Sequence, residues 1–402
     1  MKEVIIFTMG TRGDIQPYIY LAQALEKVEI HVAIGTHPCW RELIENAGLT
    51  FLAIGPNIDI EKEAAVIRGK TKNAILSMLR TMKFVFSIIQ ESSEAIYEAG
   101  KGKDLVIVSH SQMGAVEAEA LKIPTINVTL QPEMIPEKLK ELTLKEKLIG
   151  KVIDSQMVKP YNKIRKHYHL PLIKSADEMM SKRLNLIPIS PYVVKPNPYW
   201  EIQHKLVGYW YLEDKTYEPE STICDFLKAG EKPIILALGA MSFESQEEKQ
   251  KLDLFVKAFQ KLGKRAIIQG FQKTLVNYEL PQSMMAVGSI PHSWLFKQGY
   301  CVIHHGGFGT AAASLIYGIP SIPVPHVLDQ FGVALQLYKL GVATEPIKAD
   351  TPSIESIVKA IEDMRVNYEE RKTRVMELSN KLKEEDGLKQ SVTLIQEVLR
   401  EK

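Results

Sequence analysis

Short runs of Val, Ile, Leu and Phe alternate with helix-period segments from end to end of the chain. Val4–Phe7 predicts a buried strand, Gly10–Asp14 a turn and Ile15–Glu26 a helix. Further strands are expected at Ile30–Ile34, Phe51–Ile54, Leu105–Val108 and Thr125–Thr129, with helices over Trp40–Ala47 and Ala115–Leu121. Runs that are apolar at every position, not every second one, belong to strands buried on both faces. They mark a parallel sheet covered by helices. The pattern restarts at Ile234–Leu238, followed by a helix over Gln246–Leu262 and strands at Ala266–Gln269 and Met285–Val287. A helix near Ser293–Lys297, a strand at Cys301–His304, a helix at Thr310–Tyr317 and a strand at Ser321–Val324 complete the second series. Two such series predict an α/β protein with two doubly wound domains. The linker is expected around Trp210–Lys232, where Pro219 and a charged tract punctuate the chain, and Ile354–Leu399 is expected to be mostly helical.

Length agrees: 402 residues are too many for one ordinary core. A hydrophobic fraction of 45% with 24% charged residues excludes a disordered or collagen-like chain. Net charge is 50 − 48 = +2, which leaves no field suited to nucleic acid, so no nucleic-acid partner is expected. Cys39, Cys224 and Cys301 form no C-x-x-C pair. This disfavours a disulfide or zinc scaffold and fits a reducing cytoplasm. Glu3 and the absence of a small-residue cleavage site argue against a signal peptide. No apolar run reaches membrane-spanning length.

Two segments interrupt the first series. Ile75, Met78, Leu79, Met82, Val85, Phe86 and Ile89 recur at intervals of three and four, the pattern of an amphipathic helix. Lys138–Lys174 carries ten basic residues and three acids, a local balance of 10 − 3 = +7. Each has a plain reading, a helix packed on its own domain and a solvated face. The sharper reading has both leaning on an anionic lipid surface at the inner membrane face.

The strongest chemical motif is His304-His305-Gly306-Gly307-Phe308-Gly309-Thr310, directly after a strand and opening a helix. Glycines let a ligand approach the backbone. The helix start offers unpaired N–H groups and the positive end of the dipole, which together suit a diphosphate. The alternative is an ordinary tight strand–helix turn. The spacing is not G-x-G-x-x-G and no ribose-binding acid lies about 20 residues on, which disfavours a nicotinamide cofactor. Asp329-Gln330 supplies a carboxylate and an amide able to bridge vicinal sugar hydroxyls. Asp14, in Gly10-Thr11-Arg12-Gly13-Asp14-Ile15-Gln16-Pro17, stands where ligands bind in open α/β folds and suits a general base. For both acids a helix N-cap is the competing reading. His110, just past a strand, is a second candidate beside Asp14.

Taken together, these motifs resemble the inverting glycosyltransferases of family 1 that use UDP- or dTDP-sugars. The G-T-R-G-D-x-Q-P form is most similar to sterol glucosyltransferases and bacterial antibiotic glycosyltransferases. Ile290-Pro291-His292-Ser293-Trp294-Leu295-Phe296 is similar to the family's I-P-H-D-W-L-F, with Ser293 in place of the acid. The likeness is specific over residues 4–25 and 286–345 and weak between about 57 and 230.

The resemblance implies the glycosyltransferase-B fold, two Rossmann-like doubly wound domains facing across a cleft. Residues 1–212 would bind the acceptor, with helix 383–402 packing back on them, and 213–382 the nucleotide-sugar. It implies Asp14 as catalytic base, with His110 a candidate assistant. His304, Gly306, Gly307, Gly309 and Thr310 would hold the diphosphate, Asp329 and Gln330 the donor sugar, and the Ile290 backbone the base. Gly239, Ala240 and Ser242 stand where many relatives carry F-G-S, so Ala240 lacks the usual hydroxyl. No D-x-D occurs, which suits a metal-independent site with no cofactor beyond the nucleotide-sugar donor, UDP-glucose by default. The acceptor would be a lipophilic hydroxyl compound, and the protein a monomer or homodimer. A sugar-nucleotide 2-epimerase and a catalytically silent nucleotide-sugar-binding partner protein are the alternatives from other classes.

Overall fold

The computed structural model describes residues 1–58, 63, 74–141, 143–213, 216–238, 245–326, 328–348 and 352–401. The chain divides into two units, Met1–Tyr211 with Asp386–Lys402, and Leu212–Glu385.

Unit one contains β1 (Lys2–Phe7), α1 (Arg12–Glu26), β2 (Ile30–Thr36), α2 (Arg41–Glu45), β3 (Thr50–Ala53), α3 (Ala74–Gly100), β4 (Leu105–Val108), α4 (Ala115–Ala120), β5 (Thr125–Val128), α5 (Leu144–His167), β6 (Asn185–Ile187) and β7 (His204–Leu206). Its sheet is parallel, in the order β3-β2-β1-β4-β5-β6-β7. The chain steps outward from β1 to β3 on one side and then returns to lay β4 on the other. The β1/β4 junction is therefore the switch point, where the crevice beyond the strand ends opens. Val4, Ile5 and Ile6 of β1 and all of Leu105–Val108 are fully buried, as expected of strands covered on both faces.

Unit two contains α6 (Ser221–Lys228), β8 (Ile234–Ala237), α7 (Ser245–Lys261), β9 (Ala266–Gln269), α8 (Gln272–Leu275), β10 (Met284–Val287), α9 (His292–Gln298), β11 (Val302–His304), α10 (Phe308–Ile316), β12 (Ser321–Pro323), α11 (Leu328–Lys339), α12 (Ile354–Val366) and α13 (Tyr368–Glu384). Its parallel sheet runs β10-β9-β8-β11-β12, with the switch point between β8 and β11. The helix α13 seals the far end of α10. Lys372 Nζ donates to the Gly318 carbonyl at 2.6 Å and Ser379 Oγ to that of Ile316 at 2.6 Å, supplying partners that a helix C-terminus lacks.

The last helix, α14 (Gly387–Arg400), belongs to unit one and buries Leu388, Val392, Ile395, Val398 and Leu399 there. Each such side chain contributes ~1.5–3 kcal/mol when fully buried. No helix among the described residues is long and apolar enough to cross a membrane.

The two ambiguous segments resolve in part. Along α3, Phe84, Val85 and Phe86 pack against the unit-one core, and Ile88 and Ile89 are buried, so this stretch faces its own domain. The side chains of Ile75, Met78 and Leu79 lie outside the described residues. In the basic tract, Lys138 pairs with Asp177, Lys140 with Glu137 and Arg165 with Glu119. All three acids lie outside Lys138–Lys174, so among the described residues these pairs offset three of its basic charges.

Candidate active site

Asp14 lies at the carboxyl edge of the first sheet. β1 ends at Phe7, and α1 starts at Arg12 with Thr11 as its N-cap. Asp14 is thus the third residue of the helix and not its cap. It and Thr11 form a reciprocal capping box. The Thr11 backbone N–H donates to Asp14 Oδ2 at 2.8 Å and the Thr11 hydroxyl to the same oxygen at 3.0 Å. The Asp14 backbone carbonyl accepts from the Thr8 hydroxyl at 3.2 Å. One carboxylate oxygen is thereby fixed while Oδ1 takes no hydrogen bond from the described residues, and the side chain is half-buried. Gly10 makes this possible: its φ is +132°, and a Cβ there would overlap the Asp14 carboxylate.

His110 follows the neighbouring strand. Phe7 and Val108 are register partners, and Ser109 N–H donates to the Phe7 carbonyl at 3.1 Å. The loop is held by a Ser109–Ser111 hydroxyl bond of 2.8 Å and by Tyr161 Oη donating to the Ser111 carbonyl at 2.8 Å. His110 Nδ1 is buried without a hydrogen-bond partner. The structure therefore brings Asp14 and His110 to the ends of adjacent strands at the switch point.

The second sheet presents a different chemistry at the same place. His304 ends β11, fully buried, and its Nδ1 accepts from the Gly306 N–H at 3.0 Å. The proton must therefore sit on Nε2, which is buried without a partner. Burial, with His305 and His292 adding to it, pushes the His304 pKa down to about 3, and burial pushes His305 down to about 4. Both rings are neutral at pH 7. Gly307 is the N-cap of α10, and no side chain caps that helix. Gly306, at φ +84°, lies so close to Gln330 that a Cβ would stand 3.0 Å from its carbonyl oxygen. The His304–Thr310 turn and the Asp329-Gln330 pair are thus neighbours. Gln330 is buried, with Oε1 accepting from the His326 N–H at 2.8 Å, while Asp329 is exposed. Asp329 lies inside the first turn of α11, so it is not that helix's N-cap either.

Ile290 follows β10, and its carbonyl accepts from Gln269 Nε2, at the end of β9, at 2.8 Å. Gln269 Oε1 is buried without a partner. Gly239, Ala240 and Ser242 lie outside the described residues.

Sequence reasoning missed three polar groups near these edges: Tyr18, His37 and Gln269. His37 follows β2, fully buried, with Nδ1 3.3 Å from the Pro56 carbonyl and Nε2 unpaired. Tyr18, one turn beyond Asp14 on the same helix face, is fully buried, and its hydroxyl makes no well-formed hydrogen bond. A polar side chain at the last position of an apolar strand, or directly after it, was the available signal for Gln269 and His37. Buried polar groups without partners are uncommon, and here they gather at the carboxyl ends of both sheets.

Comparison with solved structures fixes the class. The glycotransferase of kitacinnamycin aligns at a TM-score of 0.75 with 15% identity, covering 98% of both chains. SnogD from Streptomyces nogalater aligns at 0.72 with 18% identity over 99% of each. The protein has the glycosyltransferase-B fold.

Sequence comparison points the same way. Residues 4–145 match the Glycosyltransferase family 28 N-terminal domain, and residues 262–387 the Erythromycin biosynthesis protein CIII-like, C-terminal domain. Both matches are consistent with the family 1 glycosyltransferases that the chain's motifs resemble. The chain is 26% identical to sterol 3-beta-glucosyltransferase UGT80A2 of Arabidopsis thaliana, over 96% of this chain and 64% of that protein. It is 27% identical to the sterol 3-beta-glucosyltransferase of Saccharomyces cerevisiae, over 97% of this chain but only 34% of the relative. The chain thus spans about two thirds of the plant relative and one third of the yeast one.

Proposed function

We propose that the protein is an inverting, metal-independent glycosyltransferase that moves a hexose from a nucleoside-diphosphate sugar to a hydroxyl of a lipophilic acceptor. The sterol glucosyltransferase relatives favour a sterol-like acceptor and UDP-glucose as donor. VinC, a solved structural neighbour in complex with dTDP, supports a nucleoside-diphosphate donor. The observation that carries the reading is the contrast between the two switch points, one offering a fixed carboxylate and the other an uncapped helix start beside a neutral histidine N–H.

The first unit binds the acceptor. Asp14 Oδ1 takes the proton of the acceptor hydroxyl as that oxygen bonds to the anomeric carbon. The bond from that carbon to the diphosphate oxygen breaks on the opposite face, which inverts the centre. His110 orients the acceptor hydroxyl. His304 Nε2–H and the N–H groups at the start of α10 receive the charge that grows on the leaving diphosphate. Asp329 and Gln330 hold the sugar hydroxyls, and the Ile290 backbone meets the base. A neutral histidine suits this task, because it donates a hydrogen bond across the working pH range without itself titrating.

The test is Asp14→Asn, which removes the base while leaving an oxygen to accept from Thr11. Turnover of UDP-glucose with a sterol panel should fall by ~10²–10⁴-fold, the usual worth of general-base help. UDP affinity by calorimetry should stay unchanged. Wild-type turnover in this variant would refute the assignment. Contact of the remaining basic surface of Lys138–Lys174 with anionic lipid is a finer part of the same proposal. Salt-sensitive sedimentation with phosphatidylserine vesicles supports it, and no sedimentation at low salt removes it.

A further inference from the structure

The chain leaves unit one after Tyr211 and re-enters it at Asp386. These two passages meet at one point. Trp210 Nε1–H donates to Ser391 Oγ at 2.8 Å, in a fully buried bond between residues 181 positions apart. Ser391 hands its own proton to the Gly387 carbonyl at 2.7 Å, so the hydroxyl is saturated and its orientation fixed. Gly387 presses on the outgoing strand so closely that any Cβ there would overlap the Gly208 carbonyl. The Trp210 ring in turn meets Tyr18 edge-on, with centroids 6.4 Å apart and planes at 76°.

Tyr18 connects this latch to the chemistry. It lies four residues after Asp14 in α1, hence on the same helix face one turn below. The Asp14 charge acts on its buried phenol, which burial first and Asp14 second hold well above its ordinary pKa. The ring is fully buried and cannot move without moving α1 or Trp210.

We propose that Trp210 is a positioning residue for the catalytic base. Through Ser391 it ties the outgoing and returning passages of the chain together, and through Tyr18 it sets where α1 holds Asp14. The inference rests on the reading of Asp14 as base. It adds that the base is placed from below by a bond joining the two crossings, and not only by its own capping box.

The experiment uses the full chain with Trp210→Phe, which keeps an aromatic ring but loses the N–H with its five-membered ring, with Ser391→Ala, which removes the bond alone, and with Ser391→Thr as the variant that keeps the hydroxyl. Trp210→Phe and Ser391→Ala should each lower kcat about tenfold, inside the ~10²-fold that a 1 Å misplacement can cause. KM for UDP-glucose and UDP affinity should change less than about twofold. The double variant should be no worse than either single one, because both remove the same bond. Ser391→Thr should restore most of the rate. Hydrogen exchange at the α1 amides of residues 12–18 should quicken in the two deficient variants. If melting temperature falls while kcat and α1 exchange hold, the latch is merely structural and the proposal is overturned. If the wild-type chain turns over no UDP-glucose, or Asp14→Asn retains full rate, it is the underlying reading that fails.

Discussion

After β1, the turn closes with Thr11 and Asp14 capping one another, so the start of α1 is satisfied by its own side chains. After β11, the turn ends at Gly307, which has no side chain to cap with, and α10 begins uncapped. Both helices start at the switch point of a parallel sheet, where the dipole favours negative charge. Unit one fills that place with a carboxylate of its own, and unit two leaves it without a capping side chain. The glycines follow the same division. Gly10 makes room for a protein side chain, whereas a Cβ at Gly309 would meet nothing within 4 Å. On the proposed reading, one supersecondary motif serves as a base in one sheet and as an anion receptor in the other, decided by a few residues of the turn.

The sharpest way to break this comparison is to compare Asp14→Asn with Asp14→Ala. Both should lose ~10²–10⁴-fold in kcat. Only the alanine variant also loses the cap, which should lower stability by ~0.5–2 kcal/mol. Equal melting temperatures would show that the capping box contributes nothing. In unit two, His304→Phe keeps a ring but removes the Nε2 donor. A drop of ~10²–10³-fold in kcat is expected, the range for losing one donor to a developing oxyanion. Because the His304 pKa is held at about 3, its titration should produce no acid limb in the pH–rate profile between about pH 5 and 8. An imidazole resonance assigned to His304 that titrates near 6.5 would contradict that placement.

A smaller effect separates the two glycines. Gly309→Ala should leave the melting temperature unchanged yet weaken UDP binding by ~10-fold, about 1.4 kcal/mol, because the methyl occupies space kept for the ligand. Gly10→Ala should do the reverse, lowering kcat and stability with UDP affinity intact, since it displaces Asp14 from a backbone that alanine adopts poorly. If both variants affected the same quantity, the division of labour between the edges would be lost.

The central strands were legible because burial on both faces leaves little choice of residue. Leu105–Val108 and Ala266–Gln269 have the expected limits, and β1 extends past Val4 only by its polar start. β6 and β7 were not legible. Each has three residues, and the intervening stretch Pro188–Gln203 is rich in proline and aromatic side chains with no period. The expected start of α1 at Ile15 falls three residues late, because Arg12, Gly13 and Asp14 look like a turn. The apolar period cannot reveal a first turn whose residues face solvent. The His304 turn suggested an anion site through its histidine pair, its glycines and its place between a strand and a helix. The unpaired polar groups of Tyr18, His37 and Gln269 could not be read, since which atoms lack partners is settled only by packing. The charge of Lys138–Lys174 was visible, but its neutralising acids Glu119, Glu137 and Asp177 lie outside that stretch.

The mildest difference between the units is the sign of their response to pH. Glu117 in α4 is buried, with Ser93 Oγ donating to it at 2.5 Å, and burial raises its pKa from 4.5 to about 7 despite that bond. The folded state therefore keeps the proton longer than the unfolded chain does. Its contribution is fully present below about pH 4.5 and is lost as pH rises through about 7. His304 and His305 behave oppositely, since burial lowers them from 6.5 to about 3 and about 4. There the unfolded chain takes up protons first, so stability is present above pH 6.5 and is lost as pH falls toward 4 and then 3. Scanning calorimetry from pH 8 to pH 5 should accordingly weaken unit two relative to unit one, with the burial-lowered His37 and His204 of unit one offsetting part of the difference. Glu117→Gln, which keeps the shape without the charge, should raise the unit-one transition at pH 8 and leave it unchanged at pH 4.5. Each kcal/mol corresponds to ~2–4 °C for units of this size. A variant that shifts the transition equally at both pH values would show that Glu117 acts through packing and not through its proton.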